Sequence, residues 1–280
     1  MAILEQDIIF GIVLYNEDIQ TSKTYISLVK SIRMISPTYI PATILIFDNT
    51  PRVENQKTIE VVSFDDFIKV HYFTENKNRG LPYAYNFFAQ KAKEMNKKWI
   101  VLLDQDTTLP ICFYENYLNI DASIQVHCPL VFTNNKLMSP SYYCNFRSYP
   151  MSVPDKNIIE LKKISCINSG LMINLDFFLK VGGYNPDLFL DFCDHDFIHK
   201  LKELKINSLG IIRCKLDQDF SAINHTKEQA LLRYKLFVKD LKTFYKGKNN
   251  FQIFSYVDLP RLLKLTYRYK SLEFFKIRFI

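Results

Sequence analysis

Three short apolar runs punctuate the first hundred residues, at 8–15, 43–47 and 99–103. They are rich in Ile, Val and Leu and show no polar alternation, the pattern of strands buried on both faces of a parallel sheet. Between them the period lengthens. Residues 24–35 read as helix-like, with apolar residues at Ile26, Val29 and 32–34, and the pattern stops before Pro37. Residues 82–95 carry Ala84, Phe88, Ala92 and Met95 at helical spacing, with Pro82 suited to a first turn. Strands and helices in alternation predict an α/β sheet with right-handed crossovers.

Further along, residues 112–163 are rich in Asn, Ser, Tyr and Pro with little periodicity, and predict long loops and short strands. The pattern tightens again from Ile164, through Asn168 to Ile173 and Gly182-Gly183, to the acidic stretch Asp191, Asp194 and Asp196. Gly182-Gly183 predicts a turn, since no glycine-rich phosphate-loop pattern surrounds it. From about Thr226 the chain becomes Lys and Arg interleaved with Leu, Phe and Tyr. No internal repeat or low-complexity linker divides it.

Each of the three apolar runs ends in a polar tip: Asn16-Glu17-Asp18, Asp48-Asn49-Thr50 and Asp104-Gln105-Asp106. In open α/β sheets ligands bind beyond the carboxyl ends of the strands, so three converging tips mark a site. A single Asp or Asn there is as well explained by a turn or helix cap. Asp104 and Asp106 are the sharpest pair, because acids one residue apart on an extended chain project to the same side. Mg²⁺ binds through one or two carboxylates with substrate phosphates, and Mn²⁺ shares its preference for oxygen.

These stretches together resemble the inverting nucleotide-sugar glycosyltransferases of family 2, which have the GT-A fold, and most closely the rhamnosyltransferase-like and galactofuranosyltransferase-like members. The matching pieces run in order: GIVLYN at 11–16, FDNT at 47–50, Asn78, Gly80 and Asn86, LLDQDT at 102–107, NSGLMI at 168–173 and GGYNPDLFLDFCDHDF at 182–197. The resemblance implies a Rossmann-like, mostly parallel sheet flanked by helices over residues 1–225. Within it, 1–110 would be the nucleotide-binding half and 111–225 the acceptor-binding half, and 226–280 would form a helical C-terminal extension.

It also implies roles. Tyr15, Asn16 and Asp48 would surround the base and ribose of the donor, with Asn78, Gly80 and Asn86 shaping the nucleotide pocket. Asp104 would lie by the ribose and metal, and Asp106 and His225 would hold Mg²⁺ or Mn²⁺ on the diphosphate. Ser169 and Gly170 would let sugar and acceptor approach, and Asp194 would be the catalytic base, six residues before Lys200. A positioned carboxylate suits that chemistry, since the acceptor hydroxyl must lose a proton as it attacks. The expected partners are a nucleotide-sugar donor, with dTDP-rhamnose first and UDP-galactofuranose or another UDP-sugar next, and a lipid-linked saccharide of a bacterial surface polysaccharide. For Asp191, Asp194 and Asp196 the alternative is structural, because acids near a helix start suit its dipole.

Composition narrows the alternatives. With 280 residues, 48% hydrophobic and 23% charged, the chain lies outside the disordered regime. The six cysteines are widely spaced without a C-x-x-C pair, and are expected to be reduced. The N-terminus has no basic region before an apolar run, and that run is about half the ~20 residues a spanning helix needs, so the chain is expected in the cytoplasm. His195 and His199 have the i, i+4 spacing of a zinc-hydrolase helix, but the acid between them is Asp196 rather than Glu; the simpler reading makes His199 a surface residue on a helix starting near Asp194.

Net charge +7 with 23 Phe and 17 Tyr points to an anionic partner. The excess sits late: Arg261, Lys264, Arg268, Lys270, Lys276 and Arg278 face only Glu273. Without an RNP-like, helix-turn-helix or zinc-finger pattern, single-stranded nucleic acid is not the expected partner. Two readings of the basic end stay open: a helix lying peripherally on the anionic inner face of the cell membrane, or one packed on the core or another subunit.

Overall fold

The computed structural model describes residues 5–35, 41–52, 59–65, 67–218 and 226–279. In chain order the amino half contributes β1 (Ile8–Leu14), α1 (Lys23–Met34), β2 (Ala42–Asp48), β3 (Ile59–Asp65), β4 (Ile68–Thr74), α2 (Leu81–Glu94) and β5 (Trp99–Asp104). β6 (Thr107–Thr108), α3 (Phe113–Leu118), β7 (Val126–Thr133), β8 (Lys136–Ser139), β9 (Ser141–Cys144), β10 (Arg147–Tyr149), β11 (Ile158–Glu160) and β12 (Ile164–Ser165) follow. The rest comprises β13 (Leu171–Asn174), α4 (Leu175–Val181), α5 (Cys193–Glu203), β14 (Ser208–Gln218), α6 (Lys227–Phe244), α7 (Asn250–Ile253), α8 (Leu259–Tyr269) and α9 (Glu273–Phe279).

β4, β2, β1 and β5 lie side by side in parallel. β3 closes one edge antiparallel to β4. Beyond β5 the sheet becomes mixed: β13 is antiparallel to both β5 and β7, β14 is parallel to β7, and β11 closes the far edge. β10, β9 and β12 form a small separate sheet.

β1 and β2 are buried along their whole length, as runs without polar alternation require. Ile9 and Val13 of β1 face one core layer, with Phe88, Tyr184 and Phe197 from the α2 and α5 side. Ile8, Phe10, Ile12 and Leu14 face the other, with Leu28 and Ile32 of α1 and Phe113 and Tyr117 of α3. Gly11 sets how closely α2 approaches: a Cβ there would stand 2.3 Å from the Phe88 ring. Overpacking of that kind costs about 1–3 kcal/mol.

The chain is thus a mostly parallel central sheet flanked by helices, with a helical C-terminal end. One expectation needs correction. Residues 112–163 hold the short strands expected, β8 to β11, but also the helix α3 and an eight-residue strand, β7, within the main sheet. The cause of the weak signal is Pro129, which lacks an N–H; it lies where the β13 ladder has ended and packs against Gly170. The C-terminal helices form their own apolar cluster around Tyr234, Phe237, Leu241, Leu262 and Phe274, and they also pack on the sheet domain, with the Tyr143 and Tyr245 hydroxyls 3.0 Å apart. No helix among the described residues is long and apolar enough to cross a membrane.

Candidate functional site

The three polar tips are joined by hydrogen bonds. The Gln105 side chain accepts from the Tyr15 amide at 2.5 Å and donates to the Tyr15 carbonyl at 3.2 Å. The Asn16 amide donates to Thr50 Oγ1 at 2.8 Å. Asn49 extends the junction to the turn before α2, donating to the Gly80 carbonyl and accepting from the Arg79 amide. Gly80 is needed there: its φ is +83°, and a Cβ would stand 2.4 Å from the Phe189 carbonyl oxygen.

A cavity of about 260 Å³ opens among these tips, bounded by Tyr15, Asn16, Asn49, Asn78 and Gly80 and, from α6, by Leu232 and Arg233. Leu81 and Leu190 are shared with a second cavity of about 420 Å³, whose walls include Asp104, Asn168, Asp194, His195, Gln218 and Arg261.

Of the residues singled out in the sequence, the first cavity gathers Tyr15, Asn16, Asn78 and Gly80, and the second gathers Asp104 and Asp194. Asp48 is buried beneath the tips, held by Arg52, by the Tyr72 hydroxyl at 2.5 Å and by the Thr50 amide. Asn86 sits elsewhere, its side-chain amide bonded to the backbone of Tyr184 at both N–H and C=O. Ser169 is fully buried against Thr107, and Gly170 packs on Pro129 and Tyr117, so Ile167 and Asn168 present this loop to the cavity instead. His225 lies outside the described residues.

Asp104 accepts from the Tyr85 hydroxyl at 2.8 Å. Burial, and next the negative charge of Asp106, push its carboxyl up to about 6, with a further contribution from Asp194. Asp106 in turn accepts from the Gln218 side chain at 3.2 Å. The Glu17 carboxyl is also pushed up, first by burial and then by Asp106. Four carboxylates therefore share one electrostatic neighbourhood. Asp104 and Asp106 fit a hard divalent cation, which would relieve the repulsion that raises Asp104. Among the described residues no group of three or more His, Cys, Asp or Glu is placed to hold a metal; two carboxylates would leave the other positions to phosphate oxygens and water.

Asp194 is the second residue of α5 and accepts from the His195 amide at 2.7 Å. Lys200 does not face it, pairing instead with Asp196 and donating to the Gly183 carbonyl at 2.9 Å. His195 bonds Ser165 through Nδ1 and packs at a tilt against the Tyr143 ring. His199 is half-buried against Tyr143 and Phe244 rather than on the surface, and burial lowers its imidazole to about 4. All six cysteines are free thiols.

Gln218 and Arg233 went unnoticed in the sequence, and Arg261 was read only as part of the basic C-terminal end. Gln218 ends β14, whose alternating residues 212–218 are a strand signal. The two arginines stand in a basic run where no local pattern separates a site residue from a solvated one.

The mostly parallel sheet, with cavities beyond the ends of β1, β2 and β5, has a GT-A-like fold. Residues 10–120 match the family model described as Glycosyl transferase family 2. Among solved structures, GalNAc-T7 with UDP, GalNAc and Mn²⁺ superposes with TM-score 0.59 at 14% identity, covering 96% of this chain and 55% of that one. The chain thus spans about half of that protein's length. Residues 1–349 of S. aureus TarS with UDP-GlcNAc match with TM-score 0.57 at 12% identity, over 97% of this chain and 78% of that one. The mannosyltransferase PcManGT from Pyrobaculum calidifontis, with GDP-Man and Mn²⁺, matches with TM-score 0.50 at 11% identity over the same shares. At these identities the likeness establishes the fold. No curated protein matches the chain.

Proposed function

We propose that the chain is a glycosyltransferase that moves a sugar from a nucleotide-sugar donor to an acceptor hydroxyl with inversion. The observation that carries this reading is the placement of Asp104 and Asp194 on one cavity that adjoins, across Leu81 and Leu190, a second cavity ringed by the strand tips. The smaller cavity would take the nucleoside, with Tyr15 and Asn16 at the base and Asp48 bracing the tip from below. Asp104 and Asp106 would hold Mg²⁺ or Mn²⁺, which when bound supplies Lewis-acid stabilisation of the departing diphosphate. Asp194 would take the proton from the acceptor hydroxyl as its oxygen bonds to the anomeric carbon and the bond from that carbon to phosphate breaks. With one base and no covalent intermediate, the configuration inverts.

The nucleotide sugars in the similar structures, UDP-GlcNAc and GDP-Man, join dTDP-rhamnose and UDP-galactofuranose as donors to test. A lipid-linked saccharide of a bacterial surface polysaccharide is the proposed acceptor. Its support is the C-terminal surface: Leu263 and Tyr267, four residues apart on α8, share a face, Tyr267 is 88% exposed, Tyr256 just before α8 is exposed as well, and Lys264, Arg268 and Lys270 are exposed in the same stretch. Residues 226–280 carry thirteen Lys or Arg against four Asp or Glu, a charge complementary to anionic lipid at the inner face of the membrane.

Asp194→Asn tests the base. It should fold and bind nucleotide as the wild type does, while transfer falls by roughly 10²–10⁴. Wild-type transfer by the folded variant would remove Asp194 from the role.

A further inference from the structure

The turn that leads into Asp194 is held from outside the sheet domain. The backbone N–H groups of Phe189, Leu190 and Asp191 all donate to the carboxylate of Asp240 in α6, at 3.0, 2.8 and 2.9 Å. Asp240 is fully buried. Phe192 follows with φ of +65°, a left-handed conformation that an aromatic residue adopts only when its surroundings impose it. Those surroundings are C-terminal as well: the Phe192 ring packs against Phe237, Phe244 and Tyr245. The Asp191 carboxylate takes both Nη groups of Arg233, with Arg261 at 3.7 Å. On its other side the turn meets the amino half, where the Phe189 carbonyl accepts from the Leu81 amide at 2.8 Å. α5 begins at Cys193, immediately beyond.

We propose that Asp240 is a positioning residue for transfer: it fixes the 189–191 turn and, through it, the direction in which Asp194 meets the acceptor. The inference rests on the reading of Asp194 as the base. Three N–H donors need an acceptor with no hydrogen of its own. An Asn has one oxygen to offer, either to Phe189 at the Oδ1 position or to Leu190 and Asp191 at the Oδ2 position, and in either orientation its NH₂ faces at least one backbone N–H. The held segment reaches both cavities, through Phe189 and Leu190 in one and Leu190, Asp191 and Phe192 in the other. A slack turn would therefore misplace the reacting groups even while the core stays packed, and small misplacements are costly to rate.

The test compares the full-length wild type with Asp240→Asn and Val238→Ala. Val238 is buried in the apolar cluster of the same helix and borders neither cavity, so its truncation lowers stability while leaving the Asp240 carboxylate and its three N–H donors in place. With the donor that the wild type uses, Asp240→Asn should lower kcat at least tenfold, with KM for the donor within threefold. Val238→Ala should stay within twofold on both. Hydrogen exchange at the 189–191 amides should quicken at least tenfold in Asp240→Asn alone. Equal kcat loss in the two variants, or full activity in Asp240→Asn, would overturn the proposal. The exchange arm needs no substrate, so unchanged exchange in Asp240→Asn defeats the clamp whatever becomes of the donor assignment. Should Asp240→Asn not fold, Phe192→Leu loosens the same turn and must also lower kcat with donor KM preserved; unchanged kcat there is equally fatal.

Discussion

The Tyr85 hydroxyl reaches Asp104 at 2.8 Å, so the helix after the Gly80 turn braces the acid at the end of β5. The bond favours the charged form, yet burial and the charge of Asp106 outweigh it and leave the Asp104 carboxyl at about 6. Its folded value thus lies above its ordinary 3.8. The contribution of this group to stability is full below about pH 4 and is lost as pH rises through 6.

Asp104→Asn should therefore be more stable than the wild type at pH 8 and not at pH 4. The gain should be about 2 kcal/mol, after discounting for partial exposure. Urea unfolding in EDTA at the two pH values reads the difference directly. An equal effect at both would detach it from ionisation.

Asp106 is held by a side chain from the opposite part of the chain, since Gln218 Nε2 donates to Oδ1 at 3.2 Å. Asp106→Asn should abolish the part of nucleotide-diphosphate affinity that depends on added Mn²⁺ or Mg²⁺, a loss of at least tenfold, while metal-free binding stays as it is. Titration calorimetry with and without EDTA separates the two. Metal-dependent binding that survives the substitution would move the cation elsewhere.

The exposed stripe on α8 predicts a lipid-dependent location. Full-length protein should float with vesicles rich in anionic lipid and not with neutral ones. The double substitution Leu263→Ser, Tyr267→Ser should reduce flotation severalfold, because it removes apolar area that would enter the interface. Equal flotation of wild type and variant, or none with either vesicle, would favour the reading in which this end packs only on protein.

Much of this was legible in the sequence where local pattern and burial agree. β1, β2 and β5 bury every side chain or nearly so, and their runs carry no competing signal. Their polar tips mark the site because parallel topology brings carboxyl ends together. β7 was obscured by Pro129, and the buried polar residues near the site mislead for a related reason. Asn86, Ser169 and Gly170 carry motif identity, yet the structure spends them on backbone and packing contacts that only the third dimension reveals. Asp240 illustrates the limit: its partners are about fifty residues away, and nothing local to α6 marks an acid that serves the turn before Asp194.

The central claim, a GT-A-type donor site built on Asp104, Asp106 and Asp194, is tested most directly by a donor panel on the intact chain. dTDP-rhamnose, UDP-galactofuranose, UDP-GlcNAc and GDP-mannose are each incubated with Mg²⁺ or Mn²⁺, and release of the nucleoside diphosphate is measured. One nucleotide should stand out, raising the melting temperature and releasing diphosphate in the presence of metal, with the release lost in Asp106→Asn. Failure of every donor to bind or to react with either cation would contradict the account.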